Sequence, residues 1–201
     1  MRIVLIAEEL GIGGLPNYVL TLAQLLGASG CEVLVAHGNA PLPRHLETGG
    51  LTLVHLPGLA RQASLTLAFD AVRHLVAWAP NVVHIHLCTS LPIIDRLLAS
   101  GLLLVRSFHD YTSLCLRLGR RRWRGDRCNR PLGWGCAAWG CLVSPPRAGA
   151  RIPQTADLPA KISERNRYRD FGASIVASQY MAETLRINGF APDRIHVVPH
   201  F

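Results

Sequence analysis

The sequence predicts an α/β protein, a doubly wound Rossmann-like parallel sheet, and three observations carry the prediction. Short apolar runs alternate with helical patterns along most of the chain, the signature of βαβ units. The first run passes into an amphipathic helix through a glycine turn, Gly11-Ile12-Gly13-Gly14. The residues that follow the strands are polar, at the strand ends where open parallel sheets bind ligands. A length of 201 residues with 49% hydrophobic residues suits one well-buried domain, so a single domain over 1–201 is expected.

Taken in order, Arg2 to Ala7 reads as a strand, Leu15 to Ser29 as a helix and Cys31 to His37 as a second strand. Leu51 to Leu56 reads as a strand, and Ser64 to Trp78 as a helix ended by Pro80. Val82 to Leu87 is the next strand and Leu91 to Ser100 the next helix. Leu102 to Phe108 opens on four apolar residues, as a strand buried on both faces does. From His109 to about Pro153 the rhythm stops, and prolines, glycines, arginines, tryptophans and four cysteines replace it. A helix from Thr155 to Phe171, a strand from Ala173 to Ala177, a helix from Gln179 to Asn188 closed by Gly189, and a strand from Ile195 to Val198 complete the pattern. The expected strand order is 3-2-1-4-5-6.

The glycine turn is the main functional clue. Glycines let a ligand approach the backbone, and the helix behind them points unpaired N–H groups and the positive end of its dipole forward. An anionic or hydroxyl-rich ligand is implied. It is not a dinucleotide fingerprint, because Pro16 stands where a third glycine is needed, and the second strand ends in Ala36-His37-Gly38 without an acidic residue for a ribose.

No apolar run reaches the roughly 18 to 20 residues of a membrane span, and Glu8 and Glu9 interrupt the N-terminal stretch, so a cytoplasmic chain is expected. The net charge of +8 is concentrated in Arg117, Arg120, Arg121, Arg122, Arg124, Arg127 and Arg130. Six cysteines without a secretion signal argue against a disulfide framework.

His84 and His86 share one face of a strand. The preferred reading is a hydrogen-bonded core His84 with His86 at the cleft edge, since a metal pair lacks an evident third ligand. His109-Asp110 directly follows a strand, where a histidine near neutral pKa orients a sugar hydroxyl or exchanges its proton. The alternative is that Asp110 caps the next turn.

Several short stretches in this order resemble the N-terminal domain of the family-4 retaining glycosyltransferases of the GT-B fold. They are Met1-Arg2-Ile3-Val4, Gly13-Gly14, Gly30-Cys31-Glu32-Val33, Val83-His84-Ile85-His86, His109-Asp110-Tyr111, Ile175-Val176-Ala177-Ser178, and Gly189 followed by Asp193 to Pro199. The resemblance covers nearly the whole chain. It implies an enzyme that moves a sugar from a nucleotide-linked donor to a glycan, lipid-linked or small-molecule acceptor, without a cofactor for catalysis. It implies that Gly13 and Gly14 lie near the donor phosphates, that His109 contacts the transferred sugar as the catalytic residue and that Ser178 lies near the cleft; His86 and Asp110, which follow strand ends, are the further substrate-site candidates. The family continues past this region into a second α/β domain that holds most of the donor. Here His200 and Phe201 follow Pro199, so a missing donor domain and an inactive fragment are expected.

Cys115, Cys128, Cys136 and Cys141 fall within the irregular stretch. Four thiolates bind zinc tetrahedrally and would staple a loop without a core of its own; reduced thiols without metal, and a disulfide or iron–sulfur cluster, are the open alternatives. The 117–130 arginine run with Trp123 and Trp134 suits the anionic inner face of a membrane or a lipid-linked pyrophosphate, while a solvated loop is the plain alternative. No nucleic-acid module is recognised. The competing reading from another class is a stand-alone metal-stapled binding module for an anionic polymer or membrane, without catalysis.

Overall fold

The structure is a computed structural model and describes residues 1–39, 51–60, 63–121, 125–144 and 154–199. Arg122, Trp123 and Arg124 of the basic run therefore lie outside the described residues. The chain divides into two compact units, Met1–Ser107 with Phe171–Ser174, and Phe108–Asp170 with Ile175–Phe201.

The first unit is built from β1 (Arg2–Ala7), α1 (Gly14–Ala28), β2 (Glu32–His37), β3 (Thr52–His55), α2 (Leu65–Ala77), β4 (Val82–Leu87), α3 (Leu91–Ala99) and β5 (Leu103–Phe108). The pairs β1–β2, β1–β4, β2–β3 and β4–β5 are all parallel, with Ile3 opposite Val33 and Val4 opposite Val83. Parallel strands covered on both faces must be apolar throughout, and Val4, Leu5, Ile6 and Ala7 are fully buried in succession. Alternation sends Ile3, Leu5 and Ala7, with Val33 and Val35, against Val19 and Ala23 of α1. Ser64 starts α2 by accepting a hydrogen bond from the Leu67 N–H, as its position before an apolar-periodic run predicts. Gly38 and Gly58 are required by close approach: a Cβ would run into the Ala60 backbone at the first and the Leu67 carbonyl at the second.

The second unit holds a one-turn helix α4 (Gly135–Ala138), the two-residue strands β6 (Val143–Ser144) and β7 (Gln154–Thr155), then α5 (Leu158–Arg169), α6 (Gln179–Ile187) and β9 (Ile195–Val197), while β8 (Ala173–Val176) has its first two residues in the first unit and its last two in the second. Phe108 meets Tyr168 and Phe190 edge-on, with ring centroids 6.0 and 5.5 Å apart. The irregular segment carries a small core of Leu116, Leu132 and Leu158. Asn188 ties it down: its buried side chain accepts from the Leu132 N–H at 2.8 Å and donates to the Thr184 carbonyl at 2.7 Å. Ser113 adds a second tie, donating to Glu164 of α5 at 2.8 Å, while Lys161 pairs with the same carboxylate.

The sheet order is β3-β2-β1-β4-β5-β8-β9, the expected arrangement with β8 as sixth strand and β9 added as a seventh. The helix expected from Thr155 starts at Leu158 instead. Gln154 and Thr155 pair with β6, and Asp157 caps the helix by accepting from the Ala160 N–H at 2.9 Å, with Pro159 in the first turn.

Candidate functional site

In the first unit the polar groups gather where β1, β2 and β4 end. Glu8 follows β1 and is buried, and its Oε2 accepts from both the N–H and the hydroxyl of Thr89, each at 2.8 Å. Its own N–H donates to the Leu87 carbonyl, and its carbonyl accepts from Gly38. One carboxylate thus links the loops after β1 and β4. Asn39, two residues beyond β2, makes the matching link to the glycine turn: its side chain accepts from the Leu10 N–H at 2.7 Å and donates to the Leu10 carbonyl at 2.8 Å. A carbonyl only accepts, so the 2.8 Å contact between His37 Nδ1 and the Asn39 carbonyl places the His37 proton on Nδ1. Burial holds the His37 ring below the ordinary histidine range, overcoming that hydrogen bond, which acts to raise it; the stacked His55 ring lowers it further.

This frame carries the glycine turn and the start of α1. Gly13 is the residue before the helix; no side chain caps it, and no acidic residue lies in the first turn. Pro16 has no N–H, so Gly14 and Leu15 supply the outward-pointing donors. A Cβ at Gly11 or Gly14 would meet no atom within 4 Å, and one at Gly13 would reach only Pro16 Cδ at 3.7 Å. Gly13 is held to glycine by its φ of 158°, whereas packing demands no glycine at Gly11 or Gly14, and at Gly14, the first residue of the helix, glycine costs helix propensity. The helix end is free to receive an anion.

His84 Nε2 lies 2.8 Å from Ser107 Oγ, the core role expected for it. His86, expected at the cleft edge, is 2% exposed, with its ring tilted against that of His84 at 4.1 Å and met edge-on by Tyr18 of α1 at 5.7 Å. The side chain of α1 that covers it was not signalled by the sequence, because which helix residue crosses a strand end depends on the helix's rotation about its axis. Burial pushes the Tyr18 hydroxyl up from its ordinary pKa.

In the second unit His109 and Asp110 directly follow β5, with His109 half-buried and Asp110 exposed. Asp110 accepts from the N–H and the hydroxyl of Thr112, at 2.9 and 2.6 Å, which is the turn-capping alternative weighed for it. Ser178 caps α6 by accepting from the Met181 N–H at 3.2 Å. Tyr111 meets Tyr180 edge-on, and Arg127 lies over the Tyr180 ring at 5.9 Å. Burial and the neighbouring Tyr180 raise the Tyr111 hydroxyl, against Arg120 and Arg127.

The basic run is not a uniform outer surface. Arg120 is 3% exposed and donates to the Arg130 carbonyl, and the Cys128 N–H donates back to the Arg120 carbonyl at 2.8 Å, so this arginine is part of the loop's interior. Trp134 and Trp139 are 71% and 46% exposed, with Arg130 over the Trp139 ring at 4.3 Å. Cys128, Cys136 and Cys141 line one cavity of about 460 Å³ together with Arg130, Trp134 and Trp139. As they stand, no three His, Cys, Asp or Glu among the described residues are arranged to hold a metal ion. No helix among them is long and apolar enough to cross a membrane.

The pattern of Glycosyltransferase Family 4 matches residues 12–201, so the chain belongs to that family. Among solved structures it is similar to Anabaena HepE in complex with UDP and glucose, at 13% identity and a TM-score of 0.55 over 100% of this chain and 44% of HepE. HepE in complex with UDP-glucose gives 12% identity and a TM-score of 0.56, again over 100% of this chain and 44% of HepE. The apo lipopolysaccharide outer core galactosyltransferase WaaB is similar at 10% identity and a TM-score of 0.53, over 99% of this chain and 45% of WaaB. The chain thus spans less than half the length of these structures, and the likeness is one of fold. No curated protein matches.

Proposed function

We propose that this chain is the acceptor-side half of a glycosyltransferase that moves a sugar from a nucleotide-sugar donor to a glycan or lipid-linked acceptor. The observation that carries the proposal is the start of α1, which no side chain caps, with Gly11 and Gly14 beside it that no packing contact requires to be glycine. Its N–H groups and dipole match the negative charge that builds on a departing nucleotide diphosphate, so the helix end would stabilise the leaving group as the glycosidic bond breaks. HepE, of similar fold, holds UDP and glucose, which makes a uridine diphosphate sugar the reference donor. In this reading His109 would contact the transferred sugar, and His86, Asp110 and Ser178 would line the substrate site. Most of the rate gain would come from positioning donor and acceptor between this half and a donor-binding half, and from excluding water there.

The exposed Trp134 and Trp139, with Arg130 against the second ring, favour a lipid-linked acceptor met at an anionic membrane surface. In that reading the protein is peripheral at the inner membrane face.

The test is a titration of UDP into isotopically labelled chain. With most donor contacts elsewhere, affinity near the millimolar range is expected, about 4 kcal/mol. The Gly13, Gly14 and Leu15 amides should move together. If they stay in place while other resonances shift, the glycine turn is not the phosphate site.

A further inference from the structure

Arg120 is a buried cation without a counter-charge. It is 3% exposed and forms no ion pair among the described residues. Its Nη1 donates to the Arg130 carbonyl at 3.2 Å, while its Nε, buried as well, has no hydrogen-bond partner. The backbone around it is strained: Leu118 and Arg120 hold left-handed φ angles of 61° and 50°, which side chains other than glycine avoid. Removing a guanidinium from water without a counter-ion costs stability, and a bound anion would offset that cost.

What surrounds Arg120 points to a ligand. The Cys128 N–H donates to the Arg120 carbonyl, and Arg121 pairs with Arg127 in an antiparallel bridge, so the segments that carry Arg120 and Arg127 run side by side. Exposed Arg127 lies over the Tyr180 ring at 5.9 Å, and Tyr180 meets Tyr111 edge-on with centroids 6.2 Å apart. Tyr111 is two residues past His109 and Tyr180 two past Ser178, so the irregular segment returns its arginines to the loops after β5 and β8. Burial, then Tyr180, hold the Tyr111 hydroxyl up against both arginines, so it stays protonated and can donate.

We infer that Arg120 and Arg127, with the Tyr111 hydroxyl, form a subsite for a phosphate group on the acceptor, an inference that rests on reading the chain as the acceptor-side half of a glycosyltransferase. A guanidinium binds phosphate through parallel N–H···O bonds, and the unpartnered Nε of Arg120 is a donor available for one of them. Neither arginine forms an ion pair with a carboxylate among the described residues, so two positive charges stand together. That suits the nearly two negative charges of a phosphate monoester better than the single charge of a carboxylate. The donor diphosphate is assigned to the start of α1 in the first unit, whereas this cluster lies wholly within the second, which gives it to the other substrate. A free sugar phosphate and a phosphate-linked lipid present the same group.

The experiment follows the arginine Nε–H resonances of the isotopically labelled 201-residue chain as inorganic phosphate is added. The Arg120 and Arg127 signals should move together and saturate with one affinity of about 1 to 10 mM, while Arg73 of α2, paired with Asp70, stays in place. Arg127→Gln should weaken phosphate about tenfold, and so should Arg120→Lys, which keeps the charge but loses the fork. Arg127 is exposed, so its variant and the wild-type signals decide the matter even where Arg120→Lys folds poorly. A response to phosphate in solution supports the subsite with a free sugar phosphate as its ligand. A response only to phosphatidylcholine vesicles containing phosphatidic acid, lost in Arg127→Gln, supports it with a lipid-linked one. Arg120 and Arg127 signals that neither probe moves, or an Arg73 signal that moves in parallel with them, would overturn the inference. UDP moving these two signals at lower concentration than the Gly13, Gly14 and Leu15 amides would give the site to the donor, overturning the acceptor subsite while the glycosyltransferase reading stands.

Discussion

Replacing Gly14 by aspartate should push stability and ligand binding in opposite directions. Gly14 is exposed, is the first residue of α1, and has no atom within 4 Å of where a Cβ would stand, so the side chain enters without a clash. Aspartate gains a few tenths of a kcal/mol of helix propensity over glycine, and its charge at the positive end of the helix adds about 0.3 to 1. The sum, about 1 kcal/mol, corresponds to a rise of roughly 2 to 4 °C in Tm for a chain of this length. A bound diphosphate meets the same carboxylate as a like charge. At about 4 Å the repulsion lies between ~1 kcal/mol in bulk water and ~4 kcal/mol near a protein surface, and exposure of Gly14 argues for about 2, a loss of ~30-fold in affinity. Scanning calorimetry reads the first effect, and UDP titration followed at the Gly13 and Leu15 amides reads the second. Gly14→Asn, of the same size but neutral, should keep UDP affinity within about threefold of wild type. A lower Tm would refute the description of α1's open start. A Gly14→Asp chain that binds UDP as the wild type does would refute the assignment of the phosphates to it.

The remaining predictions concern stability. Burial keeps the folded His37 ring below its ordinary pKa of 6.5, whereas in the unfolded chain it titrates near that value. As pH falls through about 6.5 the unfolded state takes up a proton that the folded state refuses, so stability is held above that pH and lost below it. His37→Gln should flatten the urea midpoint between about pH 5 and pH 8, and an unchanged slope would show that another group is responsible. Asn188→Ala leaves the buried Leu132 N–H without its acceptor, so a loss of about 1 to 3 kcal/mol in urea unfolding is expected, with earlier proteolysis of the segment around Leu132. A loss under about 0.5 kcal/mol would mean the backbone finds another partner.

The order of strands and helices was legible because parallel strands buried on both faces need long apolar runs, and Val4 to Ala7 and Leu102 to Val105 provide them unbroken, while Val82 to Ile85 is interrupted only by His84. Helix starts at Ser64 and Ser178 were legible from side chains that cap locally. The glycine turn could be placed before α1 because strand, turn and helix are contiguous in the chain. The start of α5 was misplaced because β7 is made by pairing with β6, a partner outside its own sequence, although Asp157 before Leu158-Pro159 was a readable cap.

By itself the sequence determined what depends on neighbours along the chain: the periodicity, the caps, the open glycine turn and the family's ordered motifs. Only the tertiary structure decided which side chains close over one another. Tyr18 covers His86, Glu8 is held by Thr89, Asn39 grips Leu10, Arg120 turns into its loop, and three separated cysteines share one cavity. Such contacts depend on helix rotation and on loops returning across tens of residues. Burial and hydrogen-bond satisfaction act through space, so no local window of sequence records them.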